Sequence, residues 1–511
     1  VTVPLGVAPD PERGASEELR SDTVRLTGDP DASGSARLEQ ETGVASGKDK
    51  YDLTIIGSGP GGYVAAIRAA QLGLSTVVVE KAPKPGGTCL HWGCIPTKAL
   101  LQAAEVYESA LKGERFGVKA SDVTLDMARV QKFKSKNVTV NARGVEFLFK
   151  KNGVALLSGR GKLAGAGRVE ITPADQAPYT IETTHTVLAT GSAVQSLPGI
   201  ELDGKRVISS DEALGMREVP GSMIVLGAGA VGVEFASIYR SFGADVTLVE
   251  LLPHLLPLED ESLGAELQKA FRKRGIECHT ATRVEEVDTH DSGVRVSATR
   301  EGETITMEAE VLLVAVGRRP VTEDLGLEGT GVRLDRGFVE VDPMMRTGEG
   351  GIYAIGDIVK TPALAHVASH EGIVAVEHAA GKNPVPIDYD KIPSCTYCDP
   401  EVAAIGLSEA EARKRGYDVV LGTFPFTAIG KAKILDDTRG FVKIVSERKH
   451  DEVLGVHIIG PHATELIAEA TAALNLEATA ESLFHAVHAH PTLAESLGEA
   501  ALAVHGRAIH F

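Results

Sequence analysis

Two stretches of this 511-residue chain are copies of one another, and that leaves few architectures open. Leu53 to Glu80 reads LTIIGSGPGGYVAAIRAAQLGLSTVVVE, and Met223 to Glu250 reads MIVLGAGAVGVEFASIYRSFGADVTLVE. Gly57, Gly59, Gly62, Gly73 and Glu80 return at a constant offset of 170 as Gly227, Gly229, Gly232, Gly243 and Glu250. Each copy runs from a short apolar strand through a glycine turn and an amphipathic helix to a second strand ending in an acid. One G-x-G-x-x-G is weak evidence, but two in this context predict two nucleotide-binding βαβ units. The first glycine makes a tight turn, the second lets a pyrophosphate approach the backbone, and the third lets helix pack on strand. The phosphates then meet the free N–H groups and dipole at the helix start. Glu80 and Glu250 would accept from ribose hydroxyls, and an acid at Glu250, followed by Leu251 and Leu252, disfavours a 2′-phosphate.

A chain of this length needs more than one core, so two to four domains are expected. Residues 1–50 are rich in Gly, Ser, Ala, Asp, Glu and Pro with no sustained period, and read as a disordered tail. Order begins at Tyr51. Val123–Leu157 reads as helix and then strand, and two apolar strands run into glycine at Thr186–Gly191 and Val311–Gly317. From about Ile392 the pattern changes to strands (Gly440–Val445, Val453–Ile459) followed by helices, which marks a separate α+β domain.

The net charge of −18 argues against a nucleic-acid partner. No apolar run approaches the ~20 residues of a membrane span, so no membrane association is expected. The first fifty residues lack the basic start and apolar stretch of a signal peptide and carry too many acids for a transit peptide. A cytoplasmic protein is expected. Five cysteines do not make a disulfide scaffold, so a disulfide in a reducing compartment would be catalytic.

The segment Gly86-Gly87-Thr88-Cys89-Leu90-His91-Trp92-Gly93-Cys94-Ile95-Pro96-Thr97-Lys98 carries the chemistry. Cysteines five apart do not meet across a regular helix. They can pair only where the backbone is distorted, as Gly93 permits before a helix opening near Pro96. A thiolate at a helix N-terminus has a depressed pKa, and Lys98 one turn on adds positive charge. No further ligands follow at zinc-site spacing, so a metal is not expected. His91 and Trp92 read as packing residues. Cys278 reads as a buried thiol, and Cys395 and Cys398, a C-x-x-C, read as two buried thiols in a strand rather than a second redox pair.

GGTCLHWGCIPTK, placed shortly after the first βαβ unit, resembles the redox-active disulfide of the pyridine nucleotide-disulfide oxidoreductases, and the resemblance runs from about Tyr51 to the C-terminus. It implies an α/β fold with two Rossmann-like dinucleotide-binding domains, for FAD and NAD, plus a C-terminal α+β dimerisation domain. The expected boundaries are 51–197 (FAD, first part), 198–320 (NAD), 321–390 (FAD, second part) and 391–511 (interface). Cys94 would be the thiol beside the flavin, Cys89 the interchange thiol, Lys98 the lysine at the reactive flavin nitrogen and Glu234 its carboxylate partner. Gly57, Gly59, Gly62, Glu80, Gly161, Thr190, Gly191, Asp357 and Ala365 would complete the FAD site. Gly227, Gly229, Gly232, Glu250, Val284 and Gly317 would hold NAD.

The C-terminal HAHPTLAE is closest to members that oxidise dihydrolipoamide. There His490 would be the base, oriented by Glu495 across a helical turn started by Pro491, and would act in the partner subunit of a homodimer. His485 and His488 read as surface or packing residues. The implied reaction is NAD⁺-dependent oxidation of dihydrolipoamide, with a lipoyl-bearing acyltransferase of a 2-oxo acid dehydrogenase complex as partner. A glutathione- or mycothiol-type reductase is the alternative, and would be expected to carry basic residues where Glu250 stands.

Overall fold

In the first repeat, the strand Lys50–Ile56 lies between Thr76–Glu80 and Tyr179–Leu188, and all three run parallel. Buried on both faces, Thr76–Glu80 has no exposed position, which is why it reads TVVVE rather than alternating. The computed structural model describes residues 49–511, so the tail expected over 1–50 lies almost entirely outside the described residues. The full sheet has seven strands. Ala155–Ser158 and Ile352–Ala354 extend its parallel part, and Arg168–Thr172 and Arg160–Leu163 add an antiparallel edge.

The second repeat builds a five-stranded, wholly parallel sheet in the order Ile276–His279, Asp245–Val249, Ser222–Leu226, Val311–Val314, Val207–Ile208. The correspondence extends beyond the repeated residues. In each sheet the strand before the glycine turn is flanked on one side by the strand ending in the acid. On its other side stands one of the two apolar runs that end in glycine, Thr186–Gly191 or Val311–Gly317. A three-stranded antiparallel sheet, Thr282–His290, Gly293–Arg300 and Glu303–Ala309, projects from the second unit.

Beyond residue 392 a five-stranded antiparallel sheet packs against the helices Ala463–Asn475 and Glu495–Val504 around its own core. The strands read as Gly440–Val445 and Val453–Ile459 in the sequence are Phe441–Glu447 and Val453–Gly460. Among the described residues, no helix is long and apolar enough to cross a membrane.

Candidate active site

The glycine turns are built alike. Gly57 and Gly227 have φ of 104° and 101°, and a Cβ on either would collide with the carbonyl of Ala189 or Ala315 on the neighbouring strand. A Cβ on Gly62 or Gly232 would lie 2.0 or 1.8 Å from the first glycine's own carbonyl oxygen. Those four glycines are demanded by the protein's own packing. Gly59 and Gly229 are not. Both are extended, and a Cβ there would meet nothing closer than 4.0 Å.

The helices that follow, Pro60–Gln71 and Ala230–Phe242, have neither a side-chain N-cap nor an acid in the first turn. The helices at Met127, Glu261 and Glu409 are instead capped by Asp126, Asp260 and Ser408. Glycine where the fold does not need it, at a helix start whose donors no side chain takes, fits a dinucleotide pyrophosphate in both units.

The terminal acids clamp each turn through the same two backbone positions. Glu80 accepts from Ser58 N–H (2.9 Å) and Ala82 N–H (2.7 Å), and Glu250 from Ala228 N–H (2.7 Å) and Leu252 N–H (2.9 Å). Glu80 Oε2 also accepts from the Ser58 hydroxyl (2.5 Å), so Oε1 keeps the lone-pair capacity for a ribose hydroxyl, whereas both oxygens of Glu250 keep it. No basic side chain bonds to Glu250, whose neighbours Leu251 and Leu252 are exposed. That fits a 2′-hydroxyl rather than a 2′-phosphate.

The two cysteines come together where one helix ends and another begins. Gly87–His91 stops at Trp92, and the next helix starts at Cys94 itself, two residues before the opening expected near Pro96. The break is at Gly93, where a Cβ would press on Cys89 Cα at 3.3 Å and Thr88 O at 3.2 Å. Cys94 is lowered to about 7 by the hydrogen bond from the Cys89 thiol and, against the opposing effect of burial, by the charge of Lys98. Cys89, the donor, is pushed in the opposite direction. A thiol pair sharing one proton this way is poised for disulfide exchange. Trp92, read as packing, is 42% exposed, while His91 bonds to the Pro85 carbonyl.

Lys98 Nζ donates to both oxygens of Glu234 (2.8 and 2.9 Å), joining the cysteine helix to the helix of the second repeat. Asp357 stands in a short 3-10 turn and accepts from Ser192 Oγ, which Arg318 also holds. Ala365 opens the helix Ala365–Ala379, and Thr190 and Gly191 follow the strand Tyr179–Leu188. Gly161 lies on the edge strand, where a Cβ would crowd Val79 and Ile56. Val284 sits in the projecting antiparallel sheet, and Gly317, at φ 122°, follows the strand Val311–Val314.

Two partners escaped the sequence reading. Glu371, fully buried, accepts from Gly356 N–H (2.6 Å) beside Asp357 and from Tyr389 O–H (2.9 Å), and burial raises its carboxyl. Its helix also carries Glu377 and three histidines, so nothing in the sequence singles it out. Tyr397 donates its backbone N–H to Glu234 (2.9 Å), and its ring centroid lies 4.6 Å from Lys98 Nζ. It lies inside the C-x-x-C, between Cys395 and Cys398. Of those cysteines only Cys395 lies on a strand, and it is only partly buried. Cys398, just past the strand, is buried in a different core. Cys278 is buried as expected.

His490 Nδ1 bonds to Glu495 Oε1 at 2.8 Å, and Thr492 N–H holds the other carboxylate oxygen at 2.9 Å. Burial raises the Glu495 carboxyl, but the bonds from His490 and Thr492 outweigh it and leave it below the ordinary range. The expected helical turn from Pro491 is absent. The His490–Pro491 peptide is cis, and the helix starts at Glu495. The His490 side chain is 77% exposed. His485 is exposed, whereas His488 is largely buried and bonds to Glu469 at 2.7 Å.

Residues 51–372 match the pyridine nucleotide-disulphide oxidoreductase family, and residues 392–501 match its dimerisation domain. The chain is 46% identical over 473 residues to a dihydrolipoyl dehydrogenase of Bacillus subtilis (strain 168), covering 90% of this chain and 99% of that protein. The mitochondrial dihydrolipoyl dehydrogenase of Pisum sativum is 42% identical over 91% of this chain and 94% of its own length. A leghemoglobin reductase of Glycine max is 40% identical over 92% and 90%. The crystal structure of LpdA from Mycobacterium tuberculosis superposes with a TM-score of 0.82 at 28% identity, covering 88% of this chain and 98% of LpdA. The repeated cradles, the paired thiols and these matches lead to one conclusion: the chain belongs to the pyridine nucleotide-disulphide oxidoreductase family.

Proposed function

We propose that this protein is an FAD- and NAD-dependent dihydrolipoyl dehydrogenase, working as a homodimer on lipoyl groups carried by the acyltransferase of a 2-oxo acid dehydrogenase complex. The observation that carries the reading is the proton-sharing pair Cys89–Cys94 at a helix start, beside the Lys98–Glu234 ion pair. The choice of thiol substrate is supported by the His490–Glu495 dyad and by dihydrolipoyl dehydrogenases at 42–46% identity over most of the chain. The dimerisation-domain match supports the homodimer.

In this reading residues 51–197 and 321–390 form the FAD domain, 198–320 the NAD domain and 391–511 the interface domain. FAD is held by Gly57, Gly59, Gly62, Glu80, Lys98, Gly161, Thr190, Gly191, Asp357 and Ala365. NAD is held by Gly227, Gly229, Gly232, Glu250, Val284 and Gly317. FAD, when bound, supplies the two-electron relay from the cysteine pair to NAD⁺.

Catalysis begins with the cysteines joined as a disulfide. His490, fixed by Glu495, takes the proton from one substrate thiol. The resulting thiolate attacks Cys89 Sγ, the Cys89–Cys94 bond breaks, and its electron pair leaves on Cys94. Cys94 leaves as a thiolate at a helix start, where the charge of Lys98 favours it. The second substrate thiol loses its proton and attacks the substrate sulfur bound to Cys89. That step closes the cyclic disulfide and frees Cys89 as a thiolate. The dithiol has then lost two protons and two electrons, and the electrons reside on the reduced cysteine pair. The exposed His490 supports delivery of the dyad to the partner's site.

A steady-state comparison of dihydrolipoamide with NAD⁺ against glutathione disulfide with NADPH tests the reading. Turnover with the first pair, and little with the second, is expected. The reverse preference overturns it.

A further inference from the structure

We propose that Tyr397 is the positioning residue of the Lys98–Glu234 ion pair, gripping the ammonium with its ring and the carboxylate with its backbone. The inference rests on the reading above, in which Lys98 stands beside the thiol that leaves on disulfide cleavage.

Three parts of the chain meet at this pair. Lys98 comes from the helix Cys94–Leu111, Glu234 from the helix of the second repeat, and Tyr397 from the start of the C-terminal sheet region. A lysine ammonium is a point charge with three rotatable donors on a flexible four-carbon stem, so one carboxylate does not by itself fix its position. Here Glu234 takes Lys98 through both oxygens, and the face of the Tyr397 ring lies against the same ammonium. Ring faces attract cations. Glu234 Oε1 receives the Tyr397 N–H as well, so the carboxylate is held from its far side. One residue thus restrains both members of a pair that bridges two other elements.

The segment carrying Tyr397 is itself anchored on both flanks. Asp399 N–H donates to Ser237 Oγ (3.1 Å), Arg274 donates to the Asp399 carbonyl (2.8 Å), and Ser394 Oγ donates to Glu259 (2.7 Å). Cys398 is buried in the core that contains Phe235 and Tyr239, one turn on from Glu234, and Cys395 packs on the core of the C-terminal sheet. Burial keeps both thiols protonated, raising Cys395 to about 11 and Cys398 well above its ordinary value. The C-x-x-C therefore serves as two apolar pins on either side of Tyr397, with no redox part.

The consequence falls on Cys94, where the groups that bear on the thiol are Cys89, Lys98 and Glu234, and of the two charges Lys98 lowers it while Glu234 raises it. An ammonium released from the ring spends less time near Cys94, so the thiol midpoint rises.

The test is the pH dependence of iodoacetamide labelling of Cys94 in the reduced holoprotein, followed by peptide mass spectrometry. Tyr397→Leu should move the midpoint up by about half a pH unit, which roughly halves the thiolate fraction at pH 7. Tyr397→Phe, which keeps the ring, should restore the wild-type midpoint. Lys98→Gln sets the largest shift available. Should Tyr397→Leu fail to fold, Tyr397→Gln makes the same comparison. A Lys98→Gln shift with none in either ring-less variant overturns the positioning role and leaves the wider reading intact. An ordinary thiol midpoint at Cys94 in the wild-type protein, unmoved by Lys98→Gln, sinks that wider reading as well.

Discussion

The two glycine-turn units share their spacing and their carboxylate clamp, yet one is covered and the other is open. Gly61 in the first has Val231 as its counterpart in the second. A Cβ on Gly61 would come within 2.9 Å of the Ala368 carbonyl, because the helix Ala365–Ala379 lies directly on it, and a Cβ on Gly372 of that helix would lie 2.7 Å from the Gly61 carbonyl oxygen. Val231 is 39% exposed. The first unit is also closed from the other side. Gly86 N–H donates to the Ser58 carbonyl and hydroxyl, and Gly87 packs on Gly59. In the second unit Ser58 is replaced by Ala228, and the chain after Glu250 turns outward through exposed leucines. A cradle closed by later segments suits a group retained through turnover, and an open one suits a group that must leave each cycle. The same motif thus supports a permanently held FAD in one copy and an exchanging NAD in the other.

The largest expected effect separates the dithiol side from the nicotinamide side. His490→Ala should lower dihydrolipoamide oxidation at least ~10²-fold, the scale of a missing general base. FAD content and NADH-driven bleaching of the flavin should stay near wild type. Mixing His490→Ala and Cys89→Ser subunits should recover activity in mass-verified heterodimers. No recovery would place the dyad in its own chain's site.

Next come the two terminal acids. Glu250→Ala should weaken NAD binding roughly ten- to a hundredfold, the value of a charged hydrogen bond, and narrow the discrimination against NADP. FAD content should not change. Glu80→Ala should show the opposite pattern, with lost flavin and little effect on nicotinamide affinity in the molecules that keep it. If both variants lose the same cofactor, the assignment of the two cradles is wrong.

A smaller effect tests the cover itself. Gly61→Val imports the second unit's residue under the helix Ala365–Ala379 and should cost about 1–3 kcal/mol of overpacking, read as a lower Tm and faster flavin release. Val231→Gly should cost about 0.5 kcal/mol in helix propensity with flavin retention unchanged. Equal flavin loss in both would erase the distinction drawn between the units.

Smallest is a displacement along the pH axis. With its thiol lowered to about 7 from the usual 9.0, Cys94 should label half-maximally near pH 7, and its labelling should lose this advantage as pH falls below that point. A midpoint near 9 would show that neither the Cys89 hydrogen bond nor Lys98 acts on it.

Much of this molecule was written locally. The two βαβ units could be read because a tight turn, a ligand approach and a helix–strand contact each demand glycine at a fixed spacing, and buried parallel strands demand unbroken apolar runs. The cysteine break at Gly93 was legible for the same reason, although the helix begins at Cys94 rather than near Pro96. His490 with Glu495 was found through family likeness, and the turn joining them was misjudged because a helical turn after proline is only a preference. What the sequence alone could not determine are the partnerships between distant residues. Nothing local marks Glu371 as the acid that holds Gly356, or Tyr397 as the ring on Lys98. Nor does anything within the repeats say that one is covered by residues some 300 positions away, while the other is left open. Glycine spacing records what the backbone must do within a few residues of itself. Closure of a cradle and restraint of an ion pair depend on which elements the tertiary fold brings against them, and that information is spread over the whole chain.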